Sequence, residues 1–200
     1  MKLVGMLDSP YVRRVAISME LYGVNFEHQS LSVFSTFDEF AKINPVVKAP
    51  TLVLDDSTVL MDSSLILDYF EALAPDDKKL LPREAAAHAL DLQLIGLSLA
   101  ACEKTVQIVY EHNLRPPEKL HEPWLDRVTG QLLAAYSTLE ERLANRQSES
   151  LTQASLTAVV AWSFTQSTLA SVVKADAFPH LRRHARLTEE LPAFKKYPIL

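Results

Sequence analysis

The hydrophobic positions at the start of the chain follow a strand period and then a helix period. Residues 2–7 form a short apolar run of strand length. After Ser9-Pro10, apolar residues recur every three or four positions from residue 12 to residue 22, which is typical of one face of an amphipathic helix. Gly23 follows at a position where glycine commonly ends a helix. The pattern therefore predicts a strand, a turn and a helix.

Shorter periodic segments complete the first eighty residues. A helix capped by Ser63 or Ser64 is expected before Pro75, which stops it. With the first strand and helix, these segments give the order βαβαββα. The remaining elements are a strand at residues 26–29, a short polar helix at 36–42, and two hairpin strands at 51–54 and 58–61.

Strand signals fade after Arg83, and helical periodicity takes over. Residues 76–82 have the composition of a linker. The sequence therefore predicts an α/β domain over residues 1–80 and an all-α helical domain over residues 83–200. Helices are expected at residues 83–112, at 125–143, around 156–164 and at 179–190.

Charge and composition exclude several classes of protein. The 200 residues carry a net charge of −5, and all of it lies in residues 1–80, where seven Lys and Arg face twelve Asp and Glu. An acidic chain without a basic face argues against nucleic-acid binding. No unbroken apolar run approaches the ~18 residues of a membrane span, and no signal peptide is recognised. With one cysteine, Cys102, which we expect to be buried and inert, the chain is predicted to be cytoplasmic and to contact no membrane.

The first strand delivers Ser9 to the start of a helix whose first residue is Pro10. Free N–H groups and roughly half a positive charge at a helix N-terminus favour an anion there. Serine before proline is also a common helix start, so Ser9 alone is better explained as an N-cap. The functional interpretation gains weight from the motifs that follow.

Three motifs carry a family resemblance. SPYVRRV at residues 9–15, NPVVKAPTL at residues 44–52 and MDSSLI at residues 61–66 resemble, in this order, the N-terminal domain of glutathione S-transferases. The helical remainder resembles the second domain of that family. With a serine at position 9, the chain is most similar to the bacterial serine-type members. The resemblance implies a thioredoxin-like fold for the first domain.

The resemblance also implies a chemistry for Ser9. Members of the wider fold often carry a C-x-x-C pair where this chain has residues 9–12, so here the sulfur must arrive on a ligand, with glutathione as the co-substrate. Lowering a thiol pKa by ~2 units requires about 2.7 kcal/mol of preferential stabilisation of the thiolate. A hydrogen bond from Ser9 and the helix dipole together can supply it. Tyr11 either lines the thiol side of the site and offers it a second hydroxyl, or its ring only packs next to Pro10.

Further residues are implied to hold the peptide. Ala49-Pro50 resembles the family's cis-proline corner, where the backbone of Ala49 pairs with the cysteinyl part of glutathione; the alternative is a trans proline entering a strand. Asp62 is expected to hold the ligand's α-amino group. Ser63 is expected to take its α-carboxylate, as well as to cap the helix. Lys48 either meets a ligand carboxylate or is a solvated surface charge.

Some residues depart from these patterns or are expected to be structural. Arg13 and Arg14 either add positive potential to the acidic first domain or, as we expect, are solvated surface charges. The family's Ser/Thr-x-x-Asp capping box falls on residues 155–158, where Ala158 replaces the acid, so Ser155 is expected to cap a helix without the reciprocal bond. His180 and His184 have chelating spacing but no third ligand, so no metal site is predicted.

Two functional hypotheses result. In the first, the protein is a glutathione transferase in which Ser9 stabilises the thiolate for attack on a small, apolar electrophile. In the second, it is a non-catalytic relative that retains the fold as a binding or interaction module. The resemblance implies a homodimer in either case.

Overall fold

The computed structural model describes residues 1–145 and 151–199, which form two compact units. The first unit comprises Met1–Leu80 together with the chain from Glu190 onward, and the second comprises Leu81–Glu189. The sequence predicted a helical domain over residues 83–200. In the structure, the part of that segment from Glu190 onward belongs to the first unit.

The first unit has the predicted order βαβαββα. Its four strands form one mixed sheet in the order β2-β1-β3-β4, in which β1 is parallel to β2 and antiparallel to β3. The elements are β1 (Lys2–Val4), α1 (Pro10–Tyr22), β2 (Glu27–Gln29), α2 (Phe37–Ile43), β3 (Thr51–Val53), β4 (Val59–Met61) and α3 (Ser63–Leu73).

The core of this unit forms where the central strands meet α1 and α3. Leu3 of β1 pairs in register with Leu52 of β3, and both side chains are fully buried. On the helices, the buried apolar side chains are Val12, Val15, Ala16, Ile17 and Met19 of α1 and Ile66, Leu67 and Phe70 of α3.

Both predicted ends of α1 are confirmed. Ser9 is the N-cap in extended conformation, and Gly23 takes the left-handed conformation at φ 76°. The Gly23 N–H donates to the Glu20 carbonyl at 3.0 Å. Glycine satisfies this position because it has no Cβ to clash there.

The second unit is helical. Short 3-10 turns lie at Pro117–Lys119 and Ala175–Ala177. The core is built on α5 and α6, and α6 is buried along most of its length. The helices are α4 (Ala85–Leu114), α5 (Glu122–Ala144), α6 (Gln153–Leu169) and α7 (Pro179–Thr188).

The start of α6 corrects one prediction. Thr152, not Ser155, is the N-cap, and Ser155 is the third residue of the helix, at position N3. The Ser155 N–H donates to Thr152 Oγ1 at 3.4 Å, and the Thr152 N–H donates to Ser155 Oγ at 2.8 Å. A complete capping box therefore forms between Thr152 and Ser155, three residues before the predicted position, because a serine hydroxyl accepts the N–H that an acid would accept.

The length and composition of α4 bear on the expectation that the chain contains no membrane span. Within the part of the chain that the structure describes, α4 is the single helix long and apolar enough to cross a membrane by length and composition. Core helices of soluble proteins pass the same test, so this is weak evidence for a span. The buried face of α4 includes Asp91, Ser98 and Thr105, and the helix packs against α5 and α6.

The C-terminal segment packs on the first unit rather than extending α7. After α7 ends at Thr188, a short helix α8 (Pro192–Lys196) packs against α1. Arg13 Nε donates to the Tyr197 carbonyl at 2.8 Å, and its guanidinium lies 5.7 Å from the ring centre of Phe194. This contact buries Arg13, which corrects its expected surface position.

Candidate functional site

Ser9 caps α1 in a way that keeps its hydroxyl proton available. Its Oγ accepts a long hydrogen bond of 3.4 Å from the Val12 N–H, which uses an oxygen lone pair and not the proton. The side chain is half-buried, Pro10 occupies the first helical position, and the first turn carries no acidic residue. The helix end thus presents a hydroxyl donor and a positive potential that no acidic residue of the first turn offsets.

Gly5 is where β1, α1 and the loop before β3 meet. Its φ is +138°, and a Cβ placed there would lie 2.5 Å from Val12 Cγ2 and 3.2 Å from Ala49 Cβ. The Gly5 carbonyl accepts a hydrogen bond of 2.8 Å from His28 Nε2, which must therefore carry a proton. This close approach brings Ala49 to the first turn of α1, beside the segment that carries Ser9.

The loop that carries Lys48, Ala49 and Pro50 is held by two buried polar side chains. The Ala49–Pro50 peptide bond is cis, as predicted. Asn44 Nδ2 donates to Thr51 Oγ1 at 2.8 Å, and Thr51 Oγ1 donates to the Lys48 carbonyl at 2.7 Å. These two hydrogen bonds hold the backbone of residues 44–51 in its bent conformation.

Val47 adopts an unusual conformation in the same loop. Its φ is 50°, in the left-handed region, which β-branched residues rarely occupy. Its N–H donates to the Asn44 carbonyl at 2.9 Å, and its side chain packs against the buried cluster around Phe40. The surrounding contacts therefore hold a strained residue immediately before Lys48.

Asp62 caps α3, which corrects the prediction that Ser63 or Ser64 does so. Its Oδ1 accepts from the Ser64 N–H at 2.9 Å, and its backbone lies at φ 70°. Its Oδ2 lies 3.9 Å from Lys48 Nζ. One carboxylate oxygen therefore serves the helix, and the other faces the lysine.

Arg14 links α1 to the start of α3. Its side chain is buried, not solvated as expected, and its Nη1 donates to Ser63 Oγ at 3.2 Å and to Ser64 Oγ at 3.4 Å. Ser63 is itself buried in the first position of the helix. The sequence patterns did not predict this contact.

The remaining candidates are placed as follows. Tyr11 lies in the first turn of α1 and is half-buried. The described residues contain no group of three or more His, Cys, Asp or Glu side chains that could hold a metal ion. His180 Nδ1 lies 2.8 Å from Glu140 Oε1, and the His180 N–H donates to the same oxygen. Cys102 is buried, as expected.

The first unit therefore carries two helix N-termini, the hydroxyl of Ser9, the ammonium of Lys48 and the carboxylate of Asp62. Such a set suits a ligand that carries a soft anion, a carboxylate and an ammonium group.

Comparisons with known proteins identify the family. The family model described as "Glutathione S-transferase, N-terminal domain" matches residues 3–78. A family member from Pseudomonas fluorescens Pf-5, solved with bound S-(propanoic acid)-glutathione, is 27% identical with a TM-score of 0.81, and the match covers 98% of each chain. The first unit of the chain therefore belongs to the glutathione S-transferase N-terminal domain family. It has the thioredoxin-like fold of that family.

Other relatives extend the comparison. A glutathione S-transferase from Methylobacterium radiotolerans, solved in complex with glutathione sulfonate, has a TM-score of 0.91 at 23% identity, over 98% of this chain and 93% of that chain. The uncharacterized GST-like protein YibF of Escherichia coli is 35% identical over 42% of this chain and 41% of its own length. Glutathione S-transferase U4 of Arabidopsis thaliana is 27% identical over 54% and 52%. The chain therefore spans about half the length of the curated relatives it matches.

Proposed function

We propose that this protein is a glutathione transferase of the serine type, which acts in the cytoplasm. The observation that carries the proposal is Ser9, which caps α1 with an oxygen lone pair and keeps its hydroxyl proton for a thiolate. The first unit binds the tripeptide, and the sulfur attacks a small, apolar electrophile.

The energetics support serine as the stabilising residue. A charge-assisted hydrogen bond contributes ~1.5 to 3 kcal/mol and a helix N-terminus ~0.3 to 1 kcal/mol. Their sum reaches the about 2.7 kcal/mol that lowers a thiol pKa from ≈ 8.5 by ~2 units. The thiol proton passes to solvent, the sulfur forms a bond to the electrophilic carbon, and the leaving group departs with its electron pair. Ser9 stays unmodified.

The other contacts assign each part of the peptide to a residue. The backbone of Ala49, beside Pro50, pairs with the cysteinyl part, and its approach to α1 at Gly5 supports this. Asp62 Oδ2 takes the α-amino group, Ser63 takes the α-carboxylate at the start of α3, and Lys48 adds a positive charge.

Relatives solved with glutathione or its derivatives support the ligand assignment. The Pseudomonas fluorescens protein was solved with a glutathione conjugate, and the Methylobacterium radiotolerans protein with glutathione sulfonate. Tyr11, in the first turn of α1, is the alternative hydroxyl.

We infer that the functional form is a homodimer. Leu65, Tyr69 and Leu73 recur at four-residue intervals on α3, and all three side chains are exposed. An apolar stripe of this kind is typical of an interface. Sedimentation of the wild type as a dimer, and of Leu65→Glu as a monomer, would support this inference.

The test of the function is a titration of the thiolate absorbance of bound glutathione in the wild type and in Ser9→Gly. Glycine keeps most of the capping free energy while it removes the hydroxyl. We expect a thiol pKa well below ~8.5 in the wild type and a rise toward that value in the variant. Ser9→Thr, which keeps a hydroxyl, is the matched control.

The outcomes separate the hypotheses. A low pKa that does not depend on Ser9 would move the role to Tyr11 or to the backbone. Binding of glutathione without turnover of an activated aryl halide would favour the non-catalytic module. Absence of glutathione binding would overturn the proposal.

A further inference from the structure

We propose that Thr51 is a positioning residue whose buried hydroxyl turns the Ala49 N–H toward the cysteinyl carbonyl of glutathione. This role rests on the proposed function, which assigns the backbone of Ala49 to the cysteinyl part of the peptide. It deepens that function, because it names the side chain that aims one atom of that backbone. The evidence is a pair of hydrogen bonds whose direction this chain fixes.

The side-chain amide of Asn44 can adopt only one orientation. Asn44 is 4% exposed, and its Oδ1 lies 3.0 Å from the backbone nitrogen of Val46. The Val46 N–H is a donor, so the atom that faces it must be the amide oxygen. The amide nitrogen then faces Thr51 Oγ1 at 2.8 Å and Met61 Sδ at 3.5 Å. A flipped amide would place two donors against each other at Val46.

This orientation decides which way the Thr51 hydroxyl donates. The amide NH₂ group of Asn44 cannot accept a hydrogen bond, so Thr51 Oγ1 must accept from it. The single hydroxyl proton of Thr51 is left for the Lys48 carbonyl oxygen, 2.7 Å away. Thr51 is fully buried, so bulk water does not compete for that proton. The Lys48 carbonyl is therefore held toward the interior of the first unit.

The carbonyl of Lys48 and the N–H of Ala49 belong to one peptide unit. The Lys48–Ala49 bond is trans, and in a trans unit the C=O and the N–H point in opposite directions. With the carbonyl held by Thr51, the Ala49 N–H is directed away from the buried start of β3. This N–H has no hydrogen-bond acceptor among the residues that the structure describes. A donor of fixed direction is therefore available to a ligand.

The donor suits a carbonyl oxygen of an extended peptide. Extended segments that lie opposite each other pair through N–H to C=O hydrogen bonds between facing residues. In the proposed complex the cysteinyl residue lies opposite Ala49, so its carbonyl is the acceptor. A hydrogen bond between neutral groups accounts for about two- to tenfold in affinity. Thr51 should therefore contribute affinity only for ligands that carry the cysteinyl carbonyl.

The experiment compares two ligands by calorimetry in the full chain. γ-Glutamylcysteinamide carries the cysteinyl carbonyl, and γ-glutamylcysteamine is the same molecule without the carboxamide group. The ratio of their dissociation constants cancels effects on the γ-glutamyl end and on the thiol, which the two ligands share. The variants are Thr51→Val, which keeps the shape and removes the hydroxyl, and Thr51→Ser, which keeps the hydroxyl.

Thr157→Val is the matched control. Thr157 is 1% exposed, its Oγ1 donates to the Gln153 carbonyl at 2.6 Å, and Gln153 Nε2 donates to it at 3.3 Å. Thr157 thus makes the same pair of bonds as Thr51, but in α6 of the second unit. Its substitution should lower stability and leave the ratio of the two constants at the wild-type value.

We expect Thr51→Val to raise the dissociation constant of γ-glutamylcysteinamide about two- to tenfold and that of γ-glutamylcysteamine less than about twofold. Thr51→Ser should keep the wild-type ratio. In amide NMR spectra, γ-glutamylcysteinamide should move the Ala49 proton downfield in the wild type and in Thr51→Ser, and γ-glutamylcysteamine should not. If Thr51→Val does not fold, Thr51→Cys replaces it, because a thiol is only a weak donor.

Three results would overturn the inference. The first is an equal loss of affinity for both ligands in Thr51→Val, which indicates a structural role alone. The second is a pair of constants that Thr51→Val leaves unchanged. The third is an Ala49 amide proton that does not respond to γ-glutamylcysteinamide in a wild type that binds glutathione. A wild type that does not bind glutathione would instead overturn the proposed function, so the two failures are distinguishable.

Discussion

Lys48 Nζ lies 3.9 Å from Asp62 Oδ2, and about half of each side chain is exposed. The two residues come from different segments, the loop before β3 and the turn before α3. A surface ion pair of this kind contributes only ~0 to 1 kcal/mol. A ligand that carries both an ammonium and a carboxylate can therefore replace this contact with little loss of stability. The pair matches the zwitterionic end of glutathione in charge.

Asp62→Asn separates the two tasks of this residue. Asparagine caps helices as well as aspartate does, and it tolerates a positive φ, so we expect the free energy of unfolding to change by less than about 0.5 kcal/mol. The variant loses the negative charge that faces the ligand's amino group. The dissociation constant for glutathione should rise about tenfold, as measured by calorimetry.

Asp62→Ala is the comparison for the capping task. It loses the Ser64 N–H contact and keeps an alanine at φ 70°, so it should lower stability by about 1 to 3 kcal/mol. Unchanged glutathione affinity in Asp62→Asn would remove Asp62 from the proposed binding site.

At Val47, a glycine variant should be more stable than an alanine variant, which is the reverse of the usual order. Glycine relieves the strain at φ 50°, whereas alanine keeps most of it, and both lose the packing against the Phe40 cluster. We therefore expect Val47→Gly to be more stable than Val47→Ala by about 1 kcal/mol in urea unfolding. The opposite order holds inside helices and strands, so an alanine variant at least as stable as the glycine variant would contradict the argument.

The element order of the first unit could be predicted because its signals are local. Ser9, Pro10 and Gly23 mark the two ends of α1 through their own backbone preferences, and the structure confirms both ends. The cis bond before Pro50 was predicted from a motif and not from its physics, since a proline alone favours trans.

Other features depend on contacts between distant segments. The surface position expected for Arg13 and Arg14 follows from charge alone, but α8 covers Arg13 and α3 covers Arg14. One local signal was available: residues 15–19 contain no charged side chain, so α1 has no charged face there. The capping error at α6 has a different cause, because Thr152 and Ser155 both fit the motif and only the backbone distinguishes them.

Gly5→Ala should be strongly destabilising. The new Cβ would lie 2.5 Å from Val12 Cγ2, on a backbone at φ +138° that suits only glycine. Overpacking and strain together predict a loss of about 2 to 4 kcal/mol in chemical unfolding. The displaced Ala49 should also weaken glutathione binding.

Gly96→Ala is the control for that change. A Cβ at Gly96 meets no atom within 4 Å and lies inside helix α4, so alanine should stabilise the protein by about 0.5 to 1 kcal/mol. If the two substitutions changed the free energy of unfolding equally, the close approach at Gly5 would not be the cause of the destabilisation.

The capping box of α6 should behave as one unit. Thr152→Ala and Ser155→Ala each remove one of two reciprocal bonds, and each should lower the free energy of unfolding by about 1 kcal/mol. Because either change also weakens the other bond, the double variant should lose less than the sum. Thr168→Ala, at an exposed position on the same helix, should change stability by less than about 0.5 kcal/mol. Strict additivity would argue against the reciprocal pair.

Tyr136 joins three helices of the second unit through its buried hydroxyl. The hydroxyl donates to the Ala161 carbonyl at 3.0 Å, which uses its single proton. Thr165 Oγ1, 2.6 Å away, therefore donates to Tyr136, and Thr105, 2.8 Å from Thr165, donates in turn to Thr165. The chain connects α5, α6 and α4 and requires a protonated tyrosine.

This requirement predicts a loss of stability at alkaline pH. Burial raises the pKa of Tyr136 above its ordinary value of 10.0. Above pH ~10 the unfolded chain releases this proton while the folded chain retains it, so stability falls as pH rises, by up to about 1.4 kcal/mol per pH unit. Tyr136→Phe should lower stability by about 1 to 3 kcal/mol near neutral pH and flatten the alkaline slope in urea unfolding. Tyr22, whose pKa is also raised, should retain its own share of the slope. An alkaline slope equal to that of the wild type would show that Tyr136 is not the group responsible.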